Sequence, residues 1–153
     1  MELGDKEFRE IIKNAPLVSI DLIVKNREGK ILLGLRINKP AQNTWFVPGG
    51  RIRKDETLDS AFNRISYTEL GLNFSRDQAR FVGVYEHIYR DSFFDDTIGT
   101  HYIVLAYEIK TLTNPDSFSH IQHQKYRWFS AKDALKEGSN VHQNVLPYFD
   151  QPV

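Results

Sequence analysis

GGRIRKDETLDSAFNRISYTELGL, residues 49–72, joins a glycine pair to an amphipathic segment with charged residues at fixed offsets. An apolar strand candidate, Trp45-Phe46-Val47, and Pro48 lead into it. Paired glycines permit backbone conformations and close approaches that a side chain forbids, so a ligand can meet bare backbone there. Thr57 has the chemistry of an N-cap, Asp59 suits a first turn, and Gly71-Leu72 reads as a left-handed C-terminal cap, which predicts a helix over Leu58–Leu70. Leu58, Ala61, Phe62 and Ile65 form the stripe of a helix face buried on a sheet. Glu69 continues that stripe. A carboxylate on the inward face is unfavourable unless it is paired or holds a metal; the alternative is an acid at a frayed helix end. Arg64, beside the stripe, offers a guanidinium to a carboxylate or a phosphate.

Upstream, Asp5 suits the cap of a short helix with Phe8, Ile11, Ile12 and Ala15 on one face and Pro16 at its end. Leu17 to Val24 alternates as a strand, with Asp21 among Leu17, Ser19 and Ile23 on one face. That acid marks either a solvated face or a lined cleft. Asn26-Arg27-Glu28-Gly29 reads as the turn of a hairpin whose second strand runs from Lys30 to Arg36. Arg36, at the strand end, can pair with Asp21 or clamp a phosphate. Arg51, just past the glycine pair, is either a surface residue or a further cation for a diphosphate.

Downstream, Phe81 to Tyr89 and His101 to Lys110 read as strands, and Arg90 to Thr100 as a polar loop able to cover a site. His87 suits a hydrogen-bonded structural role, and Tyr102 either packs or donates its phenol proton. Thr111 to Lys125 shows no periodicity and carries His120, Gln122 and His123 ahead of a strand Tyr126-Arg127-Trp128-Phe129. Either histidine of that loop could be the idle one on these grounds alone. Ser130 with Asp133 suggests a capped turn, and residues 140–149 a closing helix with His142 at the surface.

The chain has 153 residues, read as one domain over 1–153 with a core of its own. Twenty Lys and Arg balance twenty Asp and Glu, so no net basic field attracts nucleic acid or a membrane surface, and an anion site has to be local. The absence of cysteine removes thiolate and disulfide chemistry. With no secretory apolar run at the N-terminus and no membrane-length apolar stretch, the expectation is a cytoplasmic protein. Helix, hairpin, strand, long helix, more strands and a closing helix imply an α/β sandwich with a mixed β-sheet.

The 49–72 stretch resembles the Nudix box, G-x5-E-x7-R-E-U-x-E-E-x-G-U with U apolar, through Gly50, Glu56, Arg64, Glu69, Gly71 and Leu72. Ile65 and Thr68 stand where the family has glutamates, and Ser66 where it has an apolar residue. With PLVSID before it and IQHQKYRW after it, nearly the whole chain resembles the GDP-mannose mannosyl hydrolases of that superfamily. The resemblance implies a Nudix-type α/β/α sandwich, a homodimer, and a GDP-sugar substrate, GDP-mannose with GDP-glucose as a second. It also implies one Mg²⁺ per subunit, with Mn²⁺ as the alternative, held by the Gly49 carbonyl, Glu69 and Gln122. It assigns His123 as general base, Asp21, Arg36, Arg51 and Tyr102 to the reacting diphosphate and sugar, and Leu3 and Phe8 to the nucleotide.

Loss of two box glutamates argues against the multi-metal attack at phosphorus of ordinary members. Attack at the anomeric carbon needs less, because a diphosphate is already a good leaving group and needs neutralised charge rather than an acid. A histidine with an ordinary pKa of about 6.5 can then take the proton of the attacking water. Two rivals stand beside this reading: a conventional Nudix diphosphatase attacking phosphorus, and a non-catalytic nucleotide-sugar sensor.

Overall fold

Ile20 to Val24 are all buried, because the strand that contains them, β1 (Leu17–Lys25), is covered on both faces. The computed structural model describes residues 3–92, 94, 96–112 and 123–150. On one edge β1 pairs in parallel with β6 (Thr100–Lys110), from Leu17 opposite Tyr102 to Lys25 opposite Lys110. Its other edge is shared. The hairpin strand β2 (Ile31–Arg36) meets β1 at Lys25 opposite Ile31, while further back β4 (Gly49–Arg51) pairs antiparallel with Ser19 to Asp21. β2 in turn pairs antiparallel with β3 (Trp45–Phe46) and β7 (His123–Phe129), and β5 (Arg80–Tyr89) closes the far side against β6. The result is a mixed sheet in the order β3-β2-β1-β6-β5, with β4 and β7 joined to β1 and β2.

The long helix, α2, spans Leu58–Leu70, the range the sequence predicts. Thr57 Oγ1 accepts the Ser60 N–H at 3.1 Å, and Gly71 takes the left-handed conformation with φ 68° while its N–H donates to the Tyr67 carbonyl at 2.8 Å. Its inner face carries Ala61, Phe62, Ile65, Ser66, Glu69 and Leu70, so it is turned slightly from the expected stripe, and Leu58 is exposed. Ser66 is buried without loss because the Phe74 N–H donates to its Oγ at 3.3 Å. Phe62, Ile65 and Leu70 pack on Ile20, Leu22, Val24 and Leu32 to form one half of the core. Full burial of each such side chain is worth roughly 1.5–3 kcal/mol. The other half lies on the opposite face, where Ile23, Ile31, Leu33, Phe46 and Phe129 meet Val145 and Tyr148 from the C-terminal segment.

Three expectations change. The first helix, α1 (Asp5–Asn14), begins with Gly4 as its cap residue and Asp5 inside its first turn; Ile12 is buried, while Ile11 and Ala15 are exposed. β7 begins at His123, inside what reads as loop, because its backbone finds a partner in Arg36. Residues 140–149 do not form an α-helix. Instead Val141 bridges Trp45 in parallel, a turn follows, and a 3₁₀ segment spans Leu146–Asp150. The capped turn at Ser130 is present as the start of α3 (Ala131–Leu135), with the Asp133 N–H donating to Ser130 Oγ at 3.1 Å. Among the described residues no helix is long and apolar enough to cross a membrane.

Candidate active site

The glycine pair enters β4 at the point where two carboxylates converge. A Cβ on Gly49 would lie 2.5 Å from the Ile20 carbonyl oxygen and 2.8 Å from Asp21 Oδ1, so glycine is required by the closeness of the two strands. The Gly49 N–H donates to Glu69 Oε1 at 3.2 Å, which ties the end of α2 to β4. Glu69 is only 2% exposed, and its second oxygen, Oε2, is buried with no hydrogen-bond partner. Burial pushes its carboxyl up to about 7 against the opposing pull of the Gly49 N–H and the Arg36 charge. Asp21 is pushed up to about 7 as well, by burial, opposed by a hydrogen bond from Tyr148 and by Arg36. Tyr148 Oη donates to Asp21 Oδ2 at 2.7 Å. Asp21 therefore belongs to a lined cleft and not to a solvated face.

That cleft has a volume of about 380 Å³. It gathers Phe8, Asp21, Arg36, Gly49, Arg51, Glu69 and Tyr102, drawn from α1, β1, β2, β4, α2 and β6. Arg36 Nε donates to the Pro40 carbonyl at 2.9 Å, so the loop after β2 orients its guanidinium. The Arg51 guanidinium stacks over the Phe8 ring, 4.5 Å from its centre, which brings α1 into the wall of the cleft. Burial pushes the Tyr102 phenol upward, so it is a neutral hydrogen-bond donor. Two acids, several cations and aromatic faces in one concavity are suited to an anionic ligand that carries an uncharged, ring-shaped part.

Arg64 also lines the cleft, but its partner is a carboxylate within the chain. Arg64 Nε and Nη2 donate to the two oxygens of Glu56 at 2.7 and 2.9 Å, and Nη2 reaches the Arg51 carbonyl at 2.8 Å. The Arg53 N–H donates to Glu56 Oε1 at 2.7 Å. The Arg64 bond holds the Glu56 carboxyl down to about 2. This fork fixes the turn between β4 and α2 and so fixes Gly49 and Gly50.

Leu3, half-buried ahead of α1, does not line the cleft. The His123 backbone lies opposite Arg36 in the β2–β7 ladder. Its side chain, and Gln122 as a whole, fall outside what is described. Two histidines depart from what the sequence suggests: His87 is not fully hydrogen-bonded, since its Nε2 is buried without a partner, and His142 is not at the surface. His87 lies in the cleft wall, 4% exposed, edge-on to Phe46 with ring centres 5.8 Å apart, and burial holds it down to about 4, so it is neutral. His142, expected at the surface, is half-buried between Phe46 and Tyr89, each 5.4 Å away between ring centres.

Mg²⁺ and similar hard cations take oxygen ligands. A buried glutamate oxygen without a partner, beside a backbone that approaches without a side chain, fits such an ion. Among the described residues, Glu69 and the Gly49 carbonyl could hold it.

The family profile described as the NUDIX domain matches residues 15–149. The low-salt glycan biosynthesis protein Agl8 of Haloferax volcanii is 38% identical over 148 residues, covering 97% of this chain and 89% of its own. Among solved structures, a MutT NUDIX hydrolase from Burkholderia pseudomallei superimposes with a TM-score of 0.70 at 24% identity, over 92% of this chain and all of that one. The MutT protein of Methanosarcina mazei Go1 gives 0.68 at 18% identity, over 90% and 93%. At these identities the structural likeness speaks for the fold alone.

Proposed function

The chain belongs to the Nudix family, whose hydrolases act on nucleoside diphosphate derivatives and generally use divalent metal ions such as Mg²⁺, and we propose that its substrate is GDP-mannose, cleaved to GDP and free mannose. GDP-glucose is the second substrate, and the enzyme is a cytoplasmic homodimer. One observation carries the choice of bond. Of the α2 residues that line the cleft, Arg64, Ile65, Thr68 and Glu69, only Glu69 is a carboxylate, and it lies beside Gly49 with one oxygen unpartnered. A single inward carboxylate favours one cation and a substrate whose leaving group is already stable. The name of the Haloferax relative, a glycan biosynthesis protein, agrees with a sugar-bearing substrate.

In this reading Glu69, the Gly49 carbonyl and Gln122 would hold one Mg²⁺, or Mn²⁺ in its place. Bound there, the ion supplies Lewis-acid neutralisation of diphosphate charge. Arg36 and Arg51 neutralise the rest, and the neutral Tyr102 phenol donates a hydrogen bond to it. Asp21 orients the sugar. His123 takes a proton from water as the water oxygen bonds to the anomeric carbon on the face opposite the diphosphate. The bond from that carbon to the phosphate oxygen breaks, and its electron pair leaves with GDP. The sugar is released inverted. Phe8 supplies a face for the base, and Leu3, outside the cleft wall, meets the nucleotide only where it extends beyond the cleft.

Proton NMR of fresh hydrolysate tests this reading. The expected result is β-mannose appearing first from GDP-α-mannose. GMP with mannose 1-phosphate would contradict it in favour of phosphorus attack, and saturable binding without turnover would leave a sensor.

A further inference from the structure

The C-terminal segment reaches the cleft from beneath the sheet, and nothing in the motif of residues 49–72 calls for it. It is pinned first at β3. The Asn140 side-chain amide donates to the Asn43 carbonyl, the Trp45 N–H donates to the Asn140 carbonyl at 2.9 Å, and the His142 N–H returns to the Trp45 carbonyl at 3.1 Å. Val145 and Tyr148 then enter the core, both fully buried. The Tyr148 ring stands edge-on to Tyr85, with centres 5.0 Å apart, and its hydroxyl ends on Asp21 Oδ2 at 2.7 Å. With the His87 ring also beside it, 6.4 Å away between centres, this fully buried ring points its hydroxyl in one direction only.

An aspartate needs such a partner to present one defined oxygen, because the terminal torsion of its side chain is broad and nearly two-fold. The charge of Arg36 attracts the carboxylate but does not fix its plane. Oδ2 is taken by the phenol, and Oδ1 lies on the Gly49 side. We propose that Tyr148 is a positioning residue of the active site: its phenol fixes the plane of the Asp21 carboxylate and leaves Oδ1 to the substrate. The proposal rests on the reading above that Asp21 meets the substrate. It makes the irregular 140–150 segment part of the site, since a misplacement of about 1 Å at a substrate contact can lower turnover by roughly a hundredfold.

The test is a double-variant cycle on the full chain. Tyr148→Phe removes the hydroxyl and keeps the ring against Tyr85. It is expected to lower kcat/KM for GDP-mannose about tenfold, the order of one lost hydrogen bond to a charged group. Asp21→Asn lowers it further, and Tyr148→Phe added to Asp21→Asn is expected to change it less than twofold. Wild-type activity in Tyr148→Phe, or losses that multiply in the double variant, would overturn the proposal; a residue acting only on stability multiplies. A second readout needs neither turnover nor the Tyr148→Phe variant. In native ligand-free protein, Tyr148 is expected to give a slowly exchanging hydroxyl proton whose resonance shifts in Asp21→Asn. Its absence, or indifference to Asp21→Asn, would overturn the proposal. A wild-type chain inactive on GDP-mannose that keeps this coupled proton would instead refute the substrate reading.

Discussion

Glu56 and Glu69 belong to one sequence motif, and the fold treats them in opposite ways. Glu56 accepts from Arg64 through both oxygens and from the Arg53 N–H, and its carboxyl is held down to about 2. Glu69 accepts one N–H, from Gly49, keeps an oxygen buried without a partner, and is pushed up to about 7. The first carboxylate is satisfied by its own chain and holds the glycine turn in shape. The second is left incomplete by its own chain, and a buried acid in that condition is a place for something supplied from outside. A motif can thus contain its scaffold and its chemistry side by side, separable only by their hydrogen bonds.

Substitutions at the two sites should separate the roles. The largest effect is expected from Glu69→Gln, which should lower kcat by roughly 10²–10³-fold, the scale of losing a group that stabilises transition-state charge. Its melting temperature should be no lower than wild type, because a neutral amide replaces an acid that is unfavourable to bury. Titration calorimetry should show metal affinity lost; retained affinity would break the comparison. Glu56→Gln should do the reverse, lowering stability by roughly 2 kcal/mol in urea titrations, since a partly buried arginine is left with a weaker partner, while kcat per folded molecule stays within a few-fold. Arg64→Lys should be milder, about 1 kcal/mol, because an ammonium cannot replace the two-pronged contact with Glu56 and still reach the Arg51 carbonyl.

The smallest and most specific effect concerns pH. The Glu56 carboxyl lies near 2 in the folded protein against an ordinary 4.5, so the folded state binds this proton less readily than the unfolded one. Its contribution is fully present above about 4.5 and lost as the pH falls toward 2. Urea unfolding between pH 5 and 2 should show a steeper loss of stability in wild type than in Glu56→Gln. Equal slopes would mean that the Arg64 bond is too weak to matter.

Much of this was legible in the sequence where periodicity and caps speak together. Thr57 and Gly71 define α2 because each satisfies backbone groups at a helix end, and Glu69 stands out because the stripe it continues is otherwise apolar. Asp21 could be singled out but not decided, since alternation gives parity and does not say whether a face is covered. The C-terminal segment escapes sequence reading for a different reason. Val145 and Tyr148 are buried from a turn and a 3₁₀ segment, and irregular backbone leaves no period to detect. The partnership of Tyr148 with Asp21 spans nearly the whole chain, so no local pattern announces it. His123 reads as loop because the polar start of β7 shows no strand alternation; its pairing with Arg36 is a tertiary fact.

The position of the new bond distinguishes carbon attack from phosphorus attack most directly. The products formed from GDP-mannose and Mg²⁺ in ¹⁸O-water should be analysed by mass spectrometry. Label is expected in free mannose and none in GDP if water attacks the anomeric carbon as proposed. Label in a phosphate, with GMP and mannose 1-phosphate as products, would contradict it.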